Sequence, residues 1–156
     1  MSELFVAKKY FVTSGVGVDE YEVASFDKAL HMAGLGDYNL VRVSSIIPPN
    51  AKLCTHVDYP RGSVIFSAFS QNITACNELI ASAVVAAIPK SRNKVGVIME
   101  YSCVGNKDQA ITIASKLAIE ALERRGSMEF DLVVNGIDAQ GKEGVFTTTF
   151  SAIVLM

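Results

Sequence analysis

The chain has 156 residues, half of them hydrophobic and only 19% charged, with a net charge of −2 and a mean hydropathy of +0.32. That composition excludes a disordered chain and supports a single domain, spanning 1–156, with a core that needs no disulfide staples. The 14 basic and 16 acidic residues are scattered, so no basic stripe exists to follow a nucleic-acid backbone, and the longest apolar stretch, Leu79 to Ile88, is far shorter than the ~20 residues that cross a bilayer.

The first element reads as a strand from Phe5 to Val12, ended by a turn at Ser14-Gly15-Val16-Gly17. Ser25 then reads as the N-cap of a short helix, Phe26 to Met32, which stops at Gly34 and Gly36. Asn39 to Ser44 has the β-branched enrichment of a strand, and Pro48-Pro49 forbids its continuation. Gly62 to Ser70 is another strand. Ile73 to Ile88 carries an Ala-rich apolar pattern that predicts a buried helix closed by Pro89, with Asn72-Ile73-Thr74 as its polar start.

Val95 to Tyr101 reads as a buried strand. Asn106 and Gln109 form a capping box that opens a long helix through Arg125, ended by Gly126. Met128 to Ile137 and Gly144 to Leu155, joined by residues 138–143, predict an antiparallel hairpin. The order β, α, β, β, α, β, α, β, β predicts an α+β domain with helices packed on a mostly antiparallel sheet.

Common chemistries find little to build on. Cys54, Cys76 and Cys103 are odd in number and have no C-x-x-C spacing, so they read as buried thiols and not as disulfides or zinc ligands. His31 and His56 are the only histidines, and no metal site is expected. Gly34-Leu35-Gly36 lacks the third glycine of a dinucleotide loop, and Gly141-Lys142 lacks the rest of a P-loop. The N-terminus lacks a basic, apolar secretion signal, so a cytoplasmic location is expected. The low charged fraction fits either a thick core or a homo-oligomer whose interfaces cover apolar surface, and of the two the oligomer is expected.

One junction offers chemistry of its own. Ser44 and Ser45 sit at the end of a strand, just before a rigid proline turn. Held in such a turn, the Ser45 hydroxyl can attack the Ser44 carbonyl and turn the peptide bond into an ester. Elimination then breaks the chain, and hydrolysis of the dehydroalanine releases ammonia and leaves a pyruvoyl group. Asn39 is a candidate donor to the oxyanion of that attack. The alternative is that Ser44-Ser45 is merely a surface turn.

Four blocks, in order and spacing, resemble the pyruvoyl-dependent arginine decarboxylases, and the likeness covers most of the chain. They are Ala24 to Leu30 with Ala33 to Gly36, the Asn39-to-Pro49 junction, Ala86 to Lys90, and Gly96 to Tyr101. The resemblance implies cleavage into a β chain, 1–44, and an α chain, 45–156, with the pyruvoyl group on Ser45 and Asn39 assisting processing. It also implies Glu100 as the catalytic carboxyl, Asp27 as the acid facing the substrate guanidinium, and Gly36 and Tyr38 as pocket lining. A four-layer αββα sandwich, assembled as a trimer or dimer of trimers with active sites between subunits, is implied as well. The segment Tyr59 to Phe66 departs from the family pattern.

These roles make physical sense. A pyruvoyl ketone forms a Schiff base with the α-amine of L-arginine and acts as an electron sink as CO2 leaves to give agmatine, without added pyridoxal phosphate or metal. Glu100 lies in an apolar run, where burial raises a carboxyl pKa and suits it to reprotonate Cα, with Tyr101 in reserve. Asp27 offers two oxygens to a guanidinium fork. The bland readings are a strand-end glutamate paired with a lysine and a helix-start aspartate; His31 is given no role. Rival functions are a pyruvoyl decarboxylase of another amino acid and an unprocessed, non-catalytic homologue.

Overall fold

Side chains alternate across a pleated strand, and in this chain the segments Leu79–Pro89 and Phe146–Leu155 use that alternation to bury both of their faces. The structure, a computed structural model, describes residues 4–156, so Met1 to Glu3 of the stretch read for a secretion signal lie outside it. In chain order the elements are β1 (Lys9–Asp19), α1 (Glu22–Met32), β2 (Asn39–Arg42), β3 (Ile46–Ile47), β4 (Lys52–Cys54), β5 (Val64–Thr74), β6 (Leu79–Pro89), β7 (Gly96–Val104), α2 (Lys107–Glu123), β8 (Phe130–Gln140) and β9 (Phe146–Leu155).

The result is an α+β fold with two helices and two mostly antiparallel sheets. One sheet has the order β2-β5-β9-β1-β4 and the other β3-β7-β6-β8. In the first, β9 runs antiparallel to both β1 and β5, while the edge strands β2 and β4 are parallel to their neighbours. The second is antiparallel throughout.

Between the sheets, Tyr10, Ala68, Ile153 and Leu155 meet Ile47, Val84, Ala86 and Ile98. Helix α1 packs Ala29 and Ala33 against Ile65, Phe150, Ala152 and Val154 of the five-stranded sheet. Helix α2 packs Ala114, Ala118, Ala121 and Leu122 against Val85, Ala87 and Val97 of the other. The expected capping box starts α2, with Asn106 accepting from the Gln109 N–H and Gln109 accepting from the Asn106 N–H.

Several sequence expectations change. Ile73 to Ile88 is not a helix: it ends β5, turns at residues 75–78 and becomes β6. Val84 and Ala86 face the inter-sheet core while Ala83, Val85 and Ala87 face α2. A strand covered on both sides is apolar at every position, and its run then resembles a buried helix. The alanines that suggested helix instead let α2 approach closely. Asn72 and Thr74 accordingly belong to β5.

The predicted 128–155 hairpin is also not formed. Strand β8 pairs with β6 and β9 pairs with β1 and β5, so residues 141–145 carry the chain from one sheet to the other. This passage rests on the 75–78 turn, through Gly141 N–H to Glu78 O at 2.7 Å and Gly144 N–H to Ala75 O at 3.3 Å.

Ser14 to Gly17 is not a turn, since β1 runs straight through it. Gly15 and Gly17 are required because α1 lies directly on them: a Cβ on Gly15 would strike Ala29 O, and one on Gly17 would strike Ser25 O. The helix accordingly starts at Glu22 and not at Phe26, with the Asp19 carboxylate accepting the Tyr21 N–H at 3.0 Å. Ser25 lies inside the helix, hydrogen-bonded to Thr148 at 2.7 Å. The cysteines are unpaired, but Cys76 is exposed and Cys54 and Cys103 are half-buried, so none is the fully buried thiol expected.

Gly17→Ala is expected to destabilise the fold by about 3 kcal/mol or more, because the new methyl meets helix backbone that cannot yield. Gly34→Ala, at φ 76° with open space around it, should cost only about 1–2 kcal/mol of backbone strain. Chemical denaturation of the two variants checks the ranking.

Candidate active site

A short segment between β2 and β3 changes sheets, and two hydrogen bonds hold it while it does so. The Val43 N–H donates to Ser67 O in the five-stranded sheet at 3.1 Å, and the Ile98 N–H of β7 donates to Ser45 O in the other at 2.7 Å. The Ser44–Ser45 peptide bond spans the passage between those anchors. Ser44 is exposed and Ser45 half-buried. Beyond it, β3 pairs Ile46 with Val97 and Ile47 with Gly96, and Pro48 starts the turn that the sequence required.

Glu100 stands two residues beyond Ile98 on β7, so the two side chains leave the same face of the strand, toward the inter-sheet space. Its Oε2 is buried and has no hydrogen-bond partner among the described residues. Burial pushes the Glu100 pKa above the usual carboxyl range, while the positive charge of Arg42 and a backbone hydrogen bond pull the other way. Arg42 has its guanidinium 4.0 Å above the centre of the Phe69 ring. Among the described residues it forms no ion pair.

Alternation decides which neighbours share this space. Tyr101 points to the opposite face, where it packs with the residues against α2. It is not on the Glu100 side, so the reserve proton donor is removed. Next to the junction, Phe5, Val43, Ile46, Pro48 and Phe66 line an apolar hollow of about 420 Å³.

The remaining predicted residues form a second group. Asp27 is exposed on α1, six residues into the helix and not in its first turn as expected. Among the described residues it has no ion pair, while its neighbour Lys28 is held by Asp19 at 2.7 Å. Gly36 packs against His31 so closely that a Cβ would lie 3.0 Å from the His31 Cα. The Tyr38 hydroxyl donates to Tyr59 O at 3.0 Å, and the Asn39 side chain donates to Gly62 O at 2.9 Å. The atypical Tyr59–Phe66 segment thus supports this second group.

Even Asn39, the member of this second group nearest the junction in sequence, is apart from it within one chain. Asn39 opens β2 and Ser44 lies two residues past its end, a run of roughly 15 Å at about 3.3 Å per residue. The Asn39 amide therefore does not reach the Ser44–Ser45 bond of its own chain. Sequence reasoning missed Arg42, whose position above Phe69 depends on the β2–β5 pairing. It also missed the Ile98 N–H, for which no side chain leaves a signal. No cluster of three or more His, Cys, Asp or Glu suited to a metal occurs among the described residues.

The family model described as pyruvoyl-dependent arginine decarboxylase matches residues 9–156. A protein of Methanococcus vannielii with that name is 33% identical over 135 residues, covering 86% of this chain and 82% of the relative. Another, from Nitrosopumilus maritimus, is 32% identical over 178 aligned positions, covering 97% of each. A third, from Methanococcoides burtonii, is 35% identical over 132 residues, with 81% and 73% covered.

A carboxyl whose pKa is raised by folding favours the folded state at low pH and loses that contribution as pH rises through the folded pKa. Glu100 therefore costs the folded state stability as pH rises past the ordinary carboxyl range. Glu100→Gln should raise stability at pH 7 relative to the parent, with the gain vanishing below the ordinary carboxyl range, as measured by urea unfolding across pH. Arg42→Gln should push the Glu100 pKa further up, as read by carbon NMR of its carboxyl.

Proposed function

Because this chain belongs to the pyruvoyl-dependent arginine decarboxylase family, we propose that it cleaves itself between Ser44 and Ser45 and decarboxylates L-arginine to agmatine and CO2. The pyruvoyl group of such an enzyme is made from a serine of the chain, and neither a metal nor pyridoxal phosphate takes its place. The observation that carries the assignment to Ser45 is the bridging geometry. The Ser44–Ser45 bond is held between two sheets, with the unpartnered Oε2 of Glu100 on the adjoining strand.

A bond held at both ends by separate sheets samples few conformations, which lowers the entropic cost of bringing the Ser45 hydroxyl to the Ser44 carbonyl. The residues around it suit decarboxylation as well. The pyruvoyl group supplies a ketone that engages the substrate amine and accepts the electrons freed as CO2 departs. The hollow beside the junction has a mostly apolar lining that solvates a carboxylate poorly and so favours its loss as neutral gas. Glu100 keeps a proton to higher pH than an exposed glutamate and delivers it from its buried carboxyl to the substrate Cα. Asp27, unpaired and exposed, takes the guanidinium through both oxygens. Gly36 and Tyr38 line the pocket beside it.

The separation of Asn39 from the junction supports an oligomer. In a trimer, or a dimer of trimers, Asp27, Gly36, Tyr38 and Asn39 of one protomer meet Ser45 and Glu100 of the next, and Asn39 assists processing there. The three side-chain clusters support the four-layer αββα sandwich as the protomer of that assembly. The cytoplasm is the compartment in keeping with this chemistry; no described helix is long and apolar enough to cross a membrane.

Mass measurement under denaturing conditions, with a hydrazide label for carbonyls, tests the assignment. Two chains meeting at Ser44 and Ser45, the larger one labelled, are expected; a single unlabelled chain would refute it. Glu100→Gln should still cleave but lose on the order of 10²-fold in kcat. Asp27→Ala should cleave and lose mainly in KM for arginine, and unchanged arginine turnover would point to another amino acid as substrate.

A further inference from the structure

We propose that the backbone N–H of Ile98 is a catalytic donor in self-processing, stabilising negative charge on the Ser45 carbonyl oxygen during the elimination that opens the chain. The inference rests on self-cleavage at Ser44–Ser45 and deepens that reading. It concerns a different carbonyl from the one that is first attacked.

Processing has two bond-breaking stages. In the first, Ser45 Oγ bonds to the Ser44 carbonyl carbon, the carbon–nitrogen bond breaks, and the nitrogen leaves as an amine with the hydroxyl proton. In the second, the Ser45 Cα proton passes to solvent, the Cβ–Oγ bond breaks, and Ser44 departs as a carboxylate while Cα and Cβ become doubly bonded. A Cα–H beside an amide is a very weak acid. As its proton leaves, the charge moves onto the oxygen of Ser45's own carbonyl.

The Ile98 N–H donates to that oxygen, at 2.7 Å. Two features suit the bond to charge and not merely to register. Ile98 is fully buried, so water competes little for the oxygen and the interaction is strong. Strand β7 lies between β3 and β6, so the donor is fixed before charge develops and no reorganisation is needed. The neighbouring Glu100 carboxylate, were it ionised, would oppose the same charge, and burial keeps it protonated to higher pH.

The donor belongs to the backbone, so the test is backbone substitution. Ile98 is replaced by its α-hydroxy acid, which turns the N–H into an ester oxygen and leaves the side chain intact. Freshly synthesised full-length chain is then sampled over time with and without hydroxylamine, which cuts an ester but not an amide. The first stage should proceed. Elimination should slow by about 10²-fold, in line with loss of one oxyanion donor. Hydroxylamine should then release 1–44 ending in a hydroxamate and 45–156 beginning with unmodified serine.

The same substitution at Ile153, in the middle of the other sheet, should remove a sheet hydrogen bond without accumulating ester. Pyruvoyl formation at the parental rate in the Ile98 variant would overturn the inference. So would an intact, hydroxylamine-resistant variant chain that still folds by circular dichroism, since the donor would then act earlier than elimination. If the unmodified chain never breaks at Ser44–Ser45, the processing reading fails and takes this inference with it.

Discussion

The hydrogen bonds at Val43 and Ser45 impose the constraint on which the chemistry proposed for this chain depends. Each would be ordinary inside a sheet. Here they belong to two different sheets, so the three residues from Val43 to Ser45 must span a gap whose width is set by the packing of Tyr10, Val84, Ile98 and Ile153. The geometry of a single peptide bond is thereby coupled to the spacing of the inter-sheet core. That spacing is uniform and stiff, because close-packed side chains yield little. A loop of the same sequence, tethered only at its ends to one sheet, would sample many conformations in which the hydroxyl and carbonyl never meet.

Small residues set the spacing elsewhere. Glycines at 15 and 17 bring α1 down onto β1, and alanines on both α2 and β6 let the second helix pack against its own sheet. Farther from the junction, the inter-sheet space becomes polar and is cross-linked by hydroxyls. Ser70 donates to Ala83 O and Tyr101 O, Ser82 bonds to Thr149, and Ser151 donates to Ser82 O. Apolar contact fills one part of the gap and directional bonds the rest. The directional bonds fix register, which hydrophobic contact alone leaves loose.

The strands at 39–44 and 95–101, the capping box at Asn106 and the class of the fold were legible because their signals are local. The failures share a cause. Ala-rich β6 reads as helix because its two covered faces are known only once the sheets exist, and the 128–155 hairpin reads as paired because nothing local says that residues 141–145 change sheets. Gly15 and Gly17 likewise read as a turn, when what demands glycine there is a helix met later in the chain. At the candidate site, Glu100 came from the resemblance of the Gly96–Tyr101 block, with which its apolar neighbours agree, and Ser44-Ser45 from its proline turn together with the surrounding blocks. The separation of Asn39 from Ser44 was not, since it follows from the extended course of β2.

Cutting the chain after Ser44 would leave β1, α1 and β2 on one fragment, yet β1 lies between β9 and β4, and β2 pairs with β5. The small fragment is woven into the sheet and has no route out short of unfolding. Folding would thus be unimolecular before the cut and bimolecular after it: an intact chain pays the loop-closure cost once, within itself, while a cut one must find its other half. The mature protein would melt at a temperature that rises with its concentration. Once melted and diluted, it would not return, and its lifetime would be set by how slowly it opens, not by the depth of its folded minimum.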